Sequence, residues 1–276
     1  MANYDPIYLS LNADPRDILT AMDDLVARRA KTATTYQQRR WLPSALVLGG
    51  LFFLLLDFLL GYHGSLFMLL CVGWWIVALV VWLALRRNRA GGSLAPQYAT
   101  AREVFYTLRD DVAPKKYFFG HLDLTGPRQT SKVARTARNA LGRDVSFYRD
   151  EWLSLKTKLY DGNLLRVSAI QRMKVRASYT KRSASGKLKT KSALVKDDRQ
   201  QLSVRLSVNP QVYDVATMRL LQPGARIGTY TIVQCTNDGG IVNVVANAAT
   251  SPVTATDIVS VLHAVYDQLQ RKTGAA

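Results

Sequence analysis

The residues best suited to chemistry in this sequence are cations. Between Trp152 and Lys191 the chain carries Lys156, Lys158, Arg166, Arg172, Lys174, Arg176, Lys181, Arg182, Lys187, Lys189 and Lys191, with Asp161 as the only acid. Ammonium and guanidinium groups at this density attract phosphate esters, carboxylates and anionic lipid. They bind and orient, and they do not by themselves make or break bonds.

Other side chains with chemical potential are scattered. The three histidines, His63, His121 and His263, fall in a loop, a strand and a helix far apart in sequence, which gives little support to acid-base or metal chemistry. His121 and Asp123 share one side of the strand in GHLDLTG, yet no nucleophile accompanies them, and an ordinary hydrogen-bonded pair is the favoured expectation. Cys71 and Cys235 have no CxxC or His-Cys partner, against a zinc site or disulfide. Ser185-Gly186-Lys187 lacks the strand, glycine spacing and helix of a phosphate loop, and neither GxSxG nor HExxH occurs. The expectation is no catalytic residue, no metal and no cofactor.

The cations need a scaffold, and the segment from Trp152 to Tyr179 supplies a β-hairpin. Leu153, Leu155, Thr157 and Leu159 point to one side, as do Leu165, Val167, Ala169, Met173, Val175 and Ala177. The pattern predicts a three-residue turn at Asp161-Gly162-Asn163, with Leu159 facing Leu165 and Lys158 facing Arg166 on the outer side. Facing like charges are mildly destabilising. Arg172, Lys174 and Arg176 extend that basic face, and KRSASGKLKTKS forms a basic tip before a partner strand at Gln201 to Val208.

Further elements complete a domain. The sequence predicts a helix from Gln97 to Val112, a strand from Tyr117 to Leu124 and a basic helical segment from Ser131 to Leu141 carrying Lys132, Arg135 and Arg138 at spacing three. A second hairpin joins Arg226 to Cys235 with Ile241 to Ala248. Thr254 and Asp257 form a capping pattern, and Ile258, Leu262, Val265 and Leu269 make the apolar stripe of a last helix. The fold class expected is α+β, an antiparallel β-sheet packed against helices.

Ahead of that domain stand two apolar runs. Leu42 to Leu60 and Ser65 to Leu85 would cover about 28 Å and 31 Å as helices, each enough to span a bilayer. They are joined by only Gly61-Tyr62-His63-Gly64, which predicts a tight two-helix transmembrane hairpin. Gly49, Gly50 and Gly73 permit close helix approach, and the Ala45/Gly49 pair leaves homo-oligomerisation open. Arg39, Arg40 and Trp41 precede the first run, and Trp82, Arg86, Arg87 and Arg89 close the second, so both termini are expected in the cytoplasm of a bacterial inner membrane. Asp57 is the one ionisable residue within a span. It lies within a turn of the exit, where its carboxylate reaches interfacial water, Tyr62 or His63 rather than serving a proton path.

Residues 1–41 are expected to form a cytoplasmic amphipathic helix starting at Asp14-Pro15, with Ile18, Leu19, Met22, Leu25 and Val26 as its stripe. The spans occupy 42–85, a Gly-Ser linker 86–96, and the α+β domain 97–276. This last region holds 28 Lys+Arg and 14 Asp+Glu, a net of +14 out of +17 for the chain. The function expected is a membrane-anchored, non-enzymatic binding or scaffolding protein whose basic hairpin engages anionic lipid, or else a nucleotide, nucleic acid or acidic protein segment. The alternative is a ligand-sensing effector controlling an oligomeric pore or a membrane-disrupting hairpin.

Overall fold

The computed structural model describes residues 7–60, 66–88, 95–215, 221–249 and 253–272. The connection Gly61 to Gly64, the linker residues Arg89 to Ser93 and the side chains of Asp57, Arg86 and Arg87 lie outside the described residues. The chain divides into two compact units.

The first unit is helical and begins within its first helix: residues of that helix up to Ala21 belong to the second unit, and the rest of it, with the two helices that follow, to the first. Helix α1, Pro15–Arg39, begins as its sequence suggests: the Asp14 carboxylate accepts the Arg16 N–H at 2.9 Å, and Ile18, Leu19 and Met22 are buried while Val26 is exposed. It does not run on into α2, Leu42–Leu60, because a turn at Arg40-Trp41 intervenes. Pro43 suits the start of α2: it lies in the first turn, where the N–H that proline lacks has no partner within the helix. Helix α3, Leu66–Asn88, packs against α2. A Cβ at Gly49 would overlap the Trp74 indole, and one at Gly50 the Trp75 indole, so these two glycines set how closely the helices approach. One stretch, Gln37–Leu56, running from the last residues of α1 through the turn into α2, is long and apolar enough to cross a membrane, and only 6 % of it is buried. The second apolar run, Leu69–Leu85, is shorter than that.

The second unit is α+β. In chain order it contains β1 Tyr8–Ala13, α4 Pro96–Leu108, β2 Phe118–Asp123, a 3-10 turn Thr130–Lys132, β3 Val133–Arg138, β4 Asp144–Lys158, β5 Leu164–Arg176, β6 Tyr179–Arg182, β7 Leu188–Lys191 and β8 Leu194–Ser207. There follow β9 Tyr213–Val215, β10 Arg226–Ile227, β11 Tyr230–Asp238, β12 Ile241–Ala248, α5 Ala255–Tyr266 and β13 Leu269–Arg271. The main sheet is antiparallel, ordered β1-β2-β4-β5-β8-β12-β11-β10, with β3 also on β4, while β6 pairs with β7 and β13 with β9. One face is apolar in register across four strands: Leu155, Val167, Val204 and Val244 form one row and Leu153, Ala169, Leu202 and Ala246 the next, all buried. Helix α5 contacts β8, β10 and α4. Its start is the expected capping box, with the Thr254 hydroxyl and Asp257 carboxylate exchanging hydrogen bonds with each other's backbone.

Four local expectations are corrected. Leu269, expected on the apolar stripe of the last helix, begins strand β13 instead, because α5 ends at Tyr266. The segment read as a basic helix from Ser131 to Leu141 is the 3-10 turn and strand β3, because Asn139 turns the chain back: its carboxamide oxygen accepts the N–H groups of Leu141 and Arg143 at 2.9 and 3.0 Å, and β3 then pairs with an early part of β4. Helix α4 stops at Leu108, short of the expected Val112. The hairpin turn has three residues, as predicted, but they are Tyr160-Asp161-Gly162. Leu159 bonds Asn163 across the turn, Thr157 faces Leu165, and Lys156, not Lys158, faces Arg166.

Asn163 causes that shift of register. Fully buried, it takes Asp161 through its own N–H and side-chain amide at 2.9 and 2.8 Å and accepts the Asn209 N–H at 2.7 Å. A residue held by so many bonds belongs to the ladder and cannot serve as a turn tip. Gly162, at φ +86°, fills the left-handed position such a turn requires.

Candidate functional site

On the face of the sheet opposite the apolar rows, the basic residues separate into two groups. The first is a row across three strands. Lys156 faces Arg166, which faces Arg205, and all three are exposed. Adjacent strands lie about 4.8 Å apart, so three positive side chains stand side by side. None of them forms a salt bridge with a described carboxylate. Phe119 continues the row on β2 and Asn243 on β12. The next row holds Ser154, Ser168 and Ser203. Ser168 gives its hydrogen to Glu151 at 2.6 Å. Together these residues line a shallow depression of about 560 Å³.

The second group gathers at one end of the sheet. Arg149, Arg172 and Arg199 form another in-register row, of which Arg199 is paired with Asp197 at 3.0 Å. Beyond it Arg135 and Lys174 lie over the Phe147 ring at 4.3 and 5.4 Å. Arg143 and Arg176 lie over the Tyr179 ring at 3.7 and 4.7 Å. The tip from Tyr179 to Lys191 is the ordered hairpin β6–β7, in which Lys181 faces Lys189 and Arg182 faces Leu188. Lys187 lies in its turn, where the Ser183 N–H bonds its carbonyl.

The β3–β4 turn and the β6–β7 hairpin leave the sheet at this same end, where the Ala177 N–H bonds the Asp144 carbonyl at 2.9 Å. Each carries an exposed leucine between cations. Leu141, between Arg138 and Arg143, is 72 % exposed, and Leu188, between Lys187 and Lys189, is 70 % exposed. Lys158 belongs to neither group, since it faces Leu164 near the opposite end.

Behind β3 lies a buried ion cluster absent from the sequence expectations. The Lys132 ammonium sits 2.9 Å from Asp123 and 2.6 Å from Asp150. Burial raises the Asp150 pKa against the opposing pull of Lys132. Burial acts in the same direction on Asp123, but hydrogen bonds from Thr125 and Lys132 outweigh it and hold that carboxyl below its ordinary range. His121 and Asp123 are not paired. The His121 ring nitrogen Nε2 lies 3.2 Å from the Glu151 carbonyl and its ring stacks on Tyr8, whereas Asp123 bonds Thr125 and Lys132.

Sequence reasoning missed Arg149, Arg199 and Arg205 because their strands were started too late or left unpaired. The alternation of QLSVRLSV already turned Arg205 outward, and pairing Val204 with Val167 would have placed it beside Arg166. Phe119, Leu141 and Leu188 gave no signal without the pairing. Among the described residues no group of His, Cys, Asp and Glu is arranged to hold a metal ion. No family model, curated protein or solved structure matches this chain.

Proposed function

We propose that this chain is a membrane-anchored, non-enzymatic binding protein that crosses the bilayer twice through α2 and α3, keeps both termini in the cytoplasm, and seats the basic end of its sheet on an anionic lipid leaflet. The observation that carries the lipid reading is the pair of hairpin tips at one end of the sheet, each presenting an exposed leucine between cations. An apolar side chain that enters the headgroup region and flanking cations that meet anionic lipid are the two terms of interfacial binding. Each Lys or Arg near such a surface contributes about 1 kcal/mol.

The anchor is supported by apolar side chains that α2 and α3 leave exposed, among them Leu48, Phe52, Phe58, Ile76 and Val80. Apolar surface of this extent on a soluble monomer would be unusual. The uncharged part of α3, from Leu66 to Leu85, covers about 30 Å at helical rise, close to the thickness of the hydrocarbon core. The cations Arg39 and Arg40 before α2 and Arg86 and Arg87 at the end of α3 favour a cytoplasmic location for both open ends.

Trypsin tests the seating directly. With the full chain in nanodiscs, cleavage at Lys181, Arg182, Lys187, Lys189 and Lys191 should be slowed several-fold by anionic lipid relative to neutral lipid, with protection lost at high salt. Equal cleavage in both lipids would refute it.

A further inference from the structure

The row Lys156–Arg166–Arg205 lies away from the hairpin end and calls for its own explanation. Like charges placed directly opposite on neighbouring strands destabilise a sheet, and here three stand abreast with no described carboxylate to neutralise them. Surface arginines are normally spaced or paired at no cost to the fold, so a triple row is a strained arrangement that a bound anion would relieve. Its surroundings suit an oxyanion. Ser154 and Ser203 offer neutral hydroxyl donors in the adjoining row and Asn243 closes the far end. Ser168 is directed to Glu151 instead, and that carboxylate belongs to a row beyond the serines.

Phe119 narrows the ligand class. It occupies the same row on the strand next to Lys156, is 46 % exposed, and is backed by the edge-packed Tyr117 ring at 6.3 Å. An aromatic face at one end and three cations beside it, spread over about 15 Å by the strand spacing, match a molecule with a planar ring joined to phosphates. Base–aromatic stacking is worth enough to select such a molecule over bare phosphate.

We propose that this depression is a binding site for a nucleoside di- or monophosphate, with the phosphates on Lys156, Arg166 and Arg205 and the base on Phe119. The site goes beyond the lipid reading, and either can fail alone: losing the nucleotide site leaves lipid protection of β6–β7 intact, and the reverse also holds.

Thermal unfolding of the full chain in non-ionic detergent tests it, with ADP, pyrophosphate, adenosine and sulfate added at matched ionic strength. ADP should raise Tm by about 3 °C or more at saturation, pyrophosphate by less, and adenosine and sulfate not at all. Arg166→Ser should raise the Tm of the free protein, because it relieves the repulsion, and should abolish the ADP shift. Arg205→Gln should do the same more weakly. Phe119→Ala should leave the pyrophosphate shift unchanged and reduce the ADP shift to match it. The proposal is overturned if ADP gives no shift, if the shift survives Arg166→Ser, or if ADP never exceeds pyrophosphate. It is also overturned if an oligonucleotide or acidic peptide stabilises the chain far more than ADP does.

Discussion

The Arg143 guanidinium lies 3.7 Å from the centre of the Tyr179 ring, which fastens the turn of one basic hairpin to the root of the next. Arg176 lies 4.7 Å over the same ring. A cation over an exposed ring contributes about 0.5–1 kcal/mol, enough to hold a two-stranded hairpin that is marginal on its own. Tyr179→Ala is therefore expected to speed amide exchange across residues 180–190 several-fold. Global stability should change by no more than about 1 kcal/mol. Exchange mass spectrometry with urea unfolding separates the two effects.

Lys132 should matter most to folding. Without its ammonium, burial and the charge of Asp123 both raise the Asp150 pKa, and the main opposing interaction is gone. A carboxyl whose pKa is higher folded than unfolded contributes most below its unfolded value and loses that contribution as pH rises through the folded one. Lys132→Met should accordingly cost about 3 kcal/mol at pH 7, with a smaller deficit relative to the natural chain at pH 4.5. Urea unfolding at both pH values measures it, and a deficit independent of pH would show that the cluster is not a charge clamp.

The α5 cap carries the opposite pH signature. Burial works to raise the Asp257 pKa, but bonds from Thr254 and Thr229 outweigh it and hold the carboxyl below its ordinary value. Its contribution is present above the unfolded pKa and is lost as pH falls through the folded one. Asp257→Asn should cost about 1 kcal/mol near neutrality, a cost that fades as pH falls below the ordinary carboxylate range.

Asn163 keeps the hairpin in register. Asn163→Ala removes the acceptor of the Asn209 N–H and the donor to Asp161, so it should lower stability by about 3 kcal/mol, as expected for orphaned buried polar groups. A neutral result would mean that strand pairing alone sets the register.

The sequence carried much of this architecture. Alternation put Leu153, Leu155, Leu165, Val167, Leu202, Val204 and Leu206 on the buried face, where they lie, and Thr254-x-x-Asp257 marked its helix start. What escaped depended on partners distant in the chain. Strand β1 is a short edge strand recognised only by its pairing with β2. Strand β3 has cations at helical spacing, and only the Asn139 turn and the length of β4 make it a strand. The turn register was off by two residues because shifting it by two leaves every side chain on the same face. Hydrophobic pattern cannot distinguish those alternatives, and the buried bonds of Asn163 can. The same ambiguity named Lys158 as the partner of Arg166 and hid the row formed with Arg205.

Hydrogen exchange of the full chain in nanodiscs is the most direct test of lipid seating, read at the amides of residues 139–143 and 179–191. Anionic discs should slow exchange at both tips together relative to neutral discs, and a Leu141→Ser, Leu188→Ser double variant should lose most of that protection. Exchange at the two tips that is indifferent to lipid charge would contradict the claim that this end of the sheet rests on the membrane.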